Sequence, residues 1–399
     1  MRRRPAAGRA GDGGGVTRVS APPVPSAERS AARAERALDI VRMLAREPRP
    51  AGSESETHAR AYCAERLRAA GFVVREEAFE YSAFPGRWGT PAGGLVALGV
   101  LVAAAAAGRA DMPGLAVLLL ALGGVTVGAA ARGLARTGVL AFPGLRQRSV
   151  NLVATRGDQS RTEPMLWLMA HLDSKSQPVP ILARAAGITL VGAAWIAGLI
   201  VGVAQLAWSH LNLDGSWFVV AVAAGVGAVP VIATTVGARS PGALDNATGV
   251  ATVLAAVEES RDAPCGVCLT SGEELGLAGA RAWVRGRPRP GVAINCDGID
   301  DRGATTCMYT GRRPDALVAS VLTASARTGS RMRAHRLLPG VLTDGVALAD
   351  AAWSVVTLSK GGARTLARIH TPRDRAEQLS GTGMAEVARV IANLLETRT

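Results

Sequence analysis

Four long apolar stretches, arranged as two close pairs, constrain this chain more than anything else in it. Ala92–Ala107 and Leu115–Ala131 are separated only by residues 108–114, and Ala185–Trp208 and Trp217–Val236 by a short polar loop containing Asp214. A membrane-crossing helix needs roughly 20 apolar residues, with a range of about 17–25. The second, third and fourth stretches meet that length, and the first, rich in alanine, is at its short end. Core helices can also be apolar, but two pairs almost free of charge read as two transmembrane hairpins, at 90–133 and 184–238. Trp88, Trp208 and Trp217 fall at stretch ends, where interfacial aromatics belong. Arg87, Arg132, Arg136, Arg146, Arg148, Lys175, Arg184 and Arg239 flank the stretches on the side of the main chain body, whereas the connecting loops carry only Arg109. By the positive-inside rule both hairpins enter from the cytoplasmic side and return to it. The expectation is an integral protein of the cell membrane whose bulk is cytoplasmic.

The remaining composition narrows the classes further. The chain has 399 residues, 48% of them hydrophobic, and a formal charge of +13. Of the 45 basic residues only Lys175 and Lys360 are lysine. No basic run is interleaved with aromatics, and the densest cluster, Arg2 to Arg4, lies in a Gly/Pro-rich tail, so no nucleic-acid partner is expected. Anionic lipid is the better match for the charge. Five cysteines make no disulfide framework. The Cys265/Cys268 pair sits in the apolar run Cys265-Gly266-Val267-Cys268-Leu269 and reads as buried core.

Residues 1–33 lack periodicity and read as a disordered basic arm, with no apolar segment that would make a cleavable signal. Without the arm and the hairpins, on the order of 240 residues remain, the size of one domain, so 34–399 is expected to be a single domain interrupted twice. Its pattern alternates. Strands are expected at Phe72–Tyr81, Ser149–Thr155, Met165–Ala170, Val267–Thr270, Val292–Asn295 and Ser354–Leu358. Helices are expected at Ala34–Leu44, Glu54–Ala70, Ala247–Glu258, Pro314–Thr328 and Met384–Thr397. Apolar strands alternating with helices predict an α/β fold, with a mixed, largely parallel sheet covered on both faces.

The polar residues of interest cluster at strand ends and helix starts, where open α/β sheets place their sites. His171 and Asp173 follow one strand, Glu273 and Glu274 another, and Asp297 a third; Asp245 precedes a helix, and His370 opens His370-Thr371-Pro372-Arg373-Asp374. Each has an ordinary structural role open to it. Asp245 could cap its helix, Ser271 with Glu274 and Thr371 with Asp374 could be capping boxes, and Asp297 could be a turn residue. Together they suggest more. Mixed histidine and carboxylate ligands suit zinc, with other divalent ions possible. Three carboxylates and two histidines are too many for one tetrahedral ion and fit two ions sharing a carboxylate. The charge closes as well: two Zn²⁺ against three carboxylates and a bridging hydroxide sum to zero. Glu273 is left over as a base, and Asp173 can orient His171.

These segments resemble the signature of the co-catalytic di-zinc exopeptidases, the bacterial aminopeptidase and glutamate carboxypeptidase II type of metallopeptidase. The resemblance rests on His171-Leu172-Asp173-Ser174, Gly242 to Gly249, Glu273-Glu274-Leu275-Gly276, Asn295-Cys296-Asp297 and His370 to Asp374. It implies Asp245 bridging two zinc ions, His171 and Asp297 completing one ligand set, and Glu274 and His370 the other. It further implies Glu273 passing a proton from a bridging water to the leaving amine, and a peptide substrate held by its free N-terminus. Two positions depart from the pattern: Asp300 and Asp301 follow Asp297 where the family has Gly, and Thr343-Asp344-Gly345 replaces a Ser-Asp-His segment near the substrate. Asp344 is the candidate substrate-binding residue there. The resemblance also implies alternatives on the same fold, a carboxypeptidase or a glutaminyl cyclase, while a non-catalytic membrane binding protein would have lost ligands that this chain keeps.

Overall fold

The computed structural model describes residues 27–156, 166–208, 210, 212–260, 262–338 and 340–397. Most of the expected basic arm therefore lies outside the described residues. Its boundary at residue 33 needs correction, because the first helix, Ala27–Leu44, begins inside it. Ala34, Ala37, Leu38 and Val41 are buried at the i, i+3, i+4, i+7 spacing of an amphipathic helix.

Eight strands form one sheet: β1 (Val73–Ser82), β2 (Arg146–Arg156), β3 (Trp167–His171), β4 (Cys265–Thr270), β5 (Val292–Ile299), β6 (Ala304–Tyr309), β7 (Met332–Arg336) and β8 (Ser354–Gly361). Their order is β1-β2-β4-β3-β5-β8-β6-β7. The central strands β4, β3, β5 and β8 are parallel, with β2 and β6 antiparallel on either side. Every residue of β3 and β4 is buried, as parallel strands covered on both faces require. One face packs against Ile40, Leu67, Val253 and Ile391, and the other against Trp283, Leu348 and Trp353. This is the mixed, largely parallel α/β sheet that the sequence predicts. Cys265 joins one core and Cys268 the other, so the CxxC points to opposite faces. All five cysteines are free and buried.

The four apolar helices, Phe84–Arg109, Pro113–Gly133, Ile181–Ala207 and Asp214–Ile232, are long and apolar enough to cross a membrane by length and composition. They pack as one bundle around Leu101, Ala104, Leu120, Ala194, Trp217 and Ala224. Two expectations change here. The first helix has 26 residues, spanning about 39 Å at 1.5 Å per residue, because it starts at Phe84 with Pro85 in its first turn and continues through Pro91. Trp217 is not an exposed aromatic: it is fully buried, and its indole Nε1 donates to Gln205 Oε1 at 2.8 Å. Gln205 Nε2 in turn donates to the Gly108 carbonyl at 3.0 Å, which ties the loop-side ends of the helices of the two hairpins together. The outer surface stays apolar, with Leu95, Val102, Leu118, Val125, Ile196, Ile200, Phe218 and Val226 exposed.

A Cβ on Gly108 would lie 2.1 Å from Trp217 Cε2. Gly108→Ala should therefore cost about 1–3 kcal/mol by overpacking, read as a lower Tm of the detergent-solubilised chain. An unchanged Tm would mean that this contact does not close the bundle.

Candidate metal centre

The parallel strands β3, β4 and β5 deliver their following residues to the same end of the sheet. His171 is the last residue of β3, Glu273 and Glu274 form a short turn after β4, and Asp297 lies near the end of β5. Asp245 sits between Gly242 and the helix Thr248–Glu259 in non-helical conformation. His370 follows the short helix Ala363–Leu366 after β8.

These segments converge. His171 Nε2 lies 3.1 Å from Asp245 Oδ1 and 3.9 Å from Asp297 Oδ1. His370 Nε2 lies 3.0 Å from Asp245 Oδ2 and 3.2 Å from Glu274 Oε2. The candidate ligand atoms form two groups, His171/Asp245/Asp297 and Asp245/Glu274/His370, each with all atoms within 4.8 Å of one another. Asp245 belongs to both, one carboxylate oxygen facing each histidine. Seven of the eight residues expected at the site, Glu273 and Asp173 together with the five candidate ligands, are thus gathered at one place.

The donor set fits a cation. His171 Nε2 and Glu274 Oε1 are buried without a hydrogen-bond partner, a costly state for polar atoms unless something positive faces them. The electrostatics agree. Burial, reinforced by Glu274, Asp297 and Asp344, pushes the Glu273 carboxyl well above its usual range against the pull of His171. Burial also pushes Asp297 up to about 7. Burial disfavours protonation of His171, but Glu273, Asp173 and Asp245 outweigh it and raise the imidazole well above its ordinary value. Carboxylates this crowded hold protons or cations to relieve their repulsion.

The structural roles considered for these residues are taken elsewhere. Asp245 caps nothing; instead its own N–H and that of Leu244 donate to Asp374, at 3.1 and 2.6 Å. Asp374 is thus not a capping residue but a brace for the Asp245 loop. Ser271 pairs with Ser149 Oγ at 2.5 Å, leaving Glu274 free to face His370. The Asp173 carboxylate accepts from the backbone N–H of Glu273 and Glu274, at 3.1 and 3.2 Å, while its carbonyl accepts from His171 Nδ1 at 3.0 Å. One residue thereby fixes both the ring of His171 and the Glu–Glu turn.

Asp344, the candidate substrate-binding residue, lies close enough to the centre to raise the Glu273 and Asp297 carboxyls. It is fully buried, accepts from the Thr270 hydroxyl, and its other oxygen has no partner. The two departures after Asp297 are structural. Asp301 accepts from the N–H groups of Ser380 and Gly383, 2.5 and 3.0 Å away, and holds the start of the last helix. Asp300 accepts from Thr365 Oγ1 at 2.8 Å, in the segment leading to His370.

Three positioning residues are invisible in the sequence. Arg49, fully buried, donates to the carbonyls of Leu44, Leu172, Pro241 and Gly242 and so fastens the His171 and Asp245 loops together. Lys175 Nζ lies 2.8 Å from Glu274 Oε2. Gln177 Oε1 accepts from His370 Nδ1 at 3.1 Å. None belongs to a spacing motif; each is recognisable only once the fold brings it to its partner.

Residues 218–395, somewhat under half of the chain, match the model of peptidase family M28. The resemblance to the zinc exopeptidases holds. That match takes in Asp245, Glu273, Glu274, Asp297 and His370, and leaves out His171. Among solved structures the chain is similar to an aminopeptidase from Aneurinibacillus sp. strain AM-1, with 15% identity over 93% of this chain and 95% of that one and a TM-score of 0.54. It is similar to a zinc aminopeptidase from Bacillus subtilis, with 13% identity over 92% and 95% and a TM-score of 0.55. It is also similar to a glutaminyl cyclase from Porphyromonas gingivalis, with 13% identity over 94% and 99% and a TM-score of 0.51. At these identities the likeness establishes the zinc-exopeptidase fold. No relative among curated proteins matches the chain.

Proposed function

We propose that the chain is a membrane-anchored, di-zinc aminopeptidase that removes N-terminal residues from peptides. The observation that carries this reading is Asp245, whose two oxygens face two histidines at 3.1 and 3.0 Å from within two separate ligand groups. That arrangement suits a carboxylate shared by two ions, with His171 and Asp297 holding one and Glu274 and His370 the other. Zinc bound there supplies Lewis acidity to polarise the scissile carbonyl and to acidify water. The protein's own part is proton handling and alignment. Glu273, in neither ligand group and with one oxygen 3.9 Å from His171 Nε2, takes a proton from the attacking water and returns it to the leaving amine. Asp173, gripping the Glu273 and Glu274 amides, keeps that carboxylate beside its target. Residues 27–399 then form one metallopeptidase domain from which the two apolar hairpins emerge into the bilayer, with the catalytic body on the cytoplasmic side. Substrates are membrane-proximal or hydrophobic peptides.

The test is hydrolysis of aminoacyl-anilides by detergent-purified chain, with zinc and with chelator. Chelator-sensitive release that needs a free α-amine is the expected result. Cyclisation of glutaminyl peptides without anilide hydrolysis would move the reading to a cyclase. A soluble, fully active chain lacking Ala185–Val236 would sink the membrane-proximal part.

A further inference from the structure

We propose that the stalk of the second apolar hairpin is part of the metal site, with Gln177 the positioning residue for His370 and Arg184 the positioning residue for Gln177. This rests on the metal reading above and assigns it a partner outside the resemblance. The two histidines are held in different ways. His171 donates its Nδ1–H to the carbonyl of Asp173, two residues away in its own loop. His370 has no such local support. It has φ +61, a left-handed conformation uncommon for a residue with a side chain, and its contacts come from across the molecule. The Gln177 N–H donates to the His370 carbonyl at 2.9 Å, and His370 Nδ1–H donates to Gln177 Oε1 at 3.1 Å.

Arg184 fixes which end of the Gln177 amide faces the ring. Its Nη1 donates to Gln177 Oε1 at 2.8 Å, so the oxygen is held between two donors. With the proton on Nδ1, the Nε2 lone pair is directed at Asp245 and Glu274, as a metal ligand requires. The arrangement is anchored at the base of the hairpin. Ser176 and Gly237 exchange both backbone hydrogen bonds at 2.8 Å, and the Arg239 N–H donates to Ser176 Oγ at 2.9 Å. Gln177 is the next residue after that clasp, and Arg184 lies in the first turns of the helix Ile181–Ala207. The packing of the third and fourth apolar helices therefore sets the angle of a metal-binding imidazole. The first hairpin reaches the site as well: a Cβ on Gly86 would lie 2.4 Å from Leu275 Cα, directly beside the Glu273–Glu274 turn.

A neutral amide oxygen, drawn on by an arginine as well, leaves His370 a weaker donor than a carboxylate partner would. The experiment uses the full chain in detergent, with zinc affinity read by competition against a chelating dye and ligand geometry by the visible absorption of the cobalt(II)-loaded protein. Gln177→Leu should weaken one of two zinc-binding events by about 10–100-fold and shift the cobalt bands. Gln177→Glu should retain or tighten binding, with a cobalt spectrum of its own. Arg184→Met should weaken binding less than Gln177→Leu. A Gln177→Leu protein with wild-type affinity and spectrum overturns the inference. If that variant does not fold, a Gln177→Glu protein indistinguishable from wild type overturns it instead. Wild type that binds no zinc overturns the metal reading, and this inference with it.

Discussion

Replacing Glu273 by glutamine should leave two metal ions bound and lower kcat by about 10²–10⁴, the range for loss of a general base. The two halves of that expectation come from different observations. Glu273 lies beside the ligand groups but in neither, whereas Glu274, the next residue, faces His370 Nε2 at 3.2 Å. Its backbone is fixed independently of its carboxylate: Gly272 precedes it at φ +69, and its own N–H donates to Asp173 at 3.1 Å. An isosteric amide should therefore occupy the same place without the ability to take a proton. Since the proton moves only as the water attacks, kcat and kcat/KM should fall together. Glu274→Gln makes the contrast, with loss of one metal ion as its expected primary effect. Metal analysis and steady-state kinetics on the two variants decide it. Undiminished kcat in the Glu273→Gln protein would remove Glu273 from the reaction.

How far this could be read in advance depended on whether a residue's role is local. β3, β4, β5 and β8 were legible because central strands are continuous apolar runs. β6 and β7 were not: Ala304-Thr305-Thr306-Cys307-Met308-Tyr309 and Met332-Arg333-Ala334-His335-Arg336 alternate weakly and are the last two strands on one side of the sheet, β7 at its edge. The site residues were legible because strand ends and short spacings place them. The residues that hold them were not. Arg49 reaches Gly242, and Gln177 reaches His370, each 193 positions along the chain. Asp374 shows the opposite error, since its spacing from Thr371 is that of a capping box, yet its oxygens serve Leu244 and Asp245. The burial of Trp217 was not legible for a related reason. At the end of an apolar stretch an indole suits the interface, and only Gln205 on the neighbouring helix offers it a buried acceptor.

Asp245→Ala should be the most damaging single substitution, because Asp245 alone belongs to both ligand groups. Without it, His171 Nε2 loses its carboxylate neighbour at 3.1 Å and His370 Nε2 loses one at 3.0 Å. Within its ligand group His171 would keep only Asp297, 3.9 Å away, and His370 only Glu274, whose oxygen already pairs with Lys175 at 2.8 Å. Neither remainder is an adequate site for zinc, which takes three or four protein ligands. Bound zinc should therefore fall from two ions to fewer than one per chain. With it go the several kcal/mol of transition-state stabilisation that metal Lewis acidity supplies. At about 1.4 kcal/mol per tenfold change in rate, that amounts to a loss of roughly 10³-fold or more. Asp297→Ala, which touches one group only, should lose one ion and keep the other. Elemental analysis of the two purified variants against wild type separates the cases. An Asp245→Ala protein that retains two ions would show that the carboxylate does not join the two halves of the site, and the proposed two-ion arrangement would have to be abandoned.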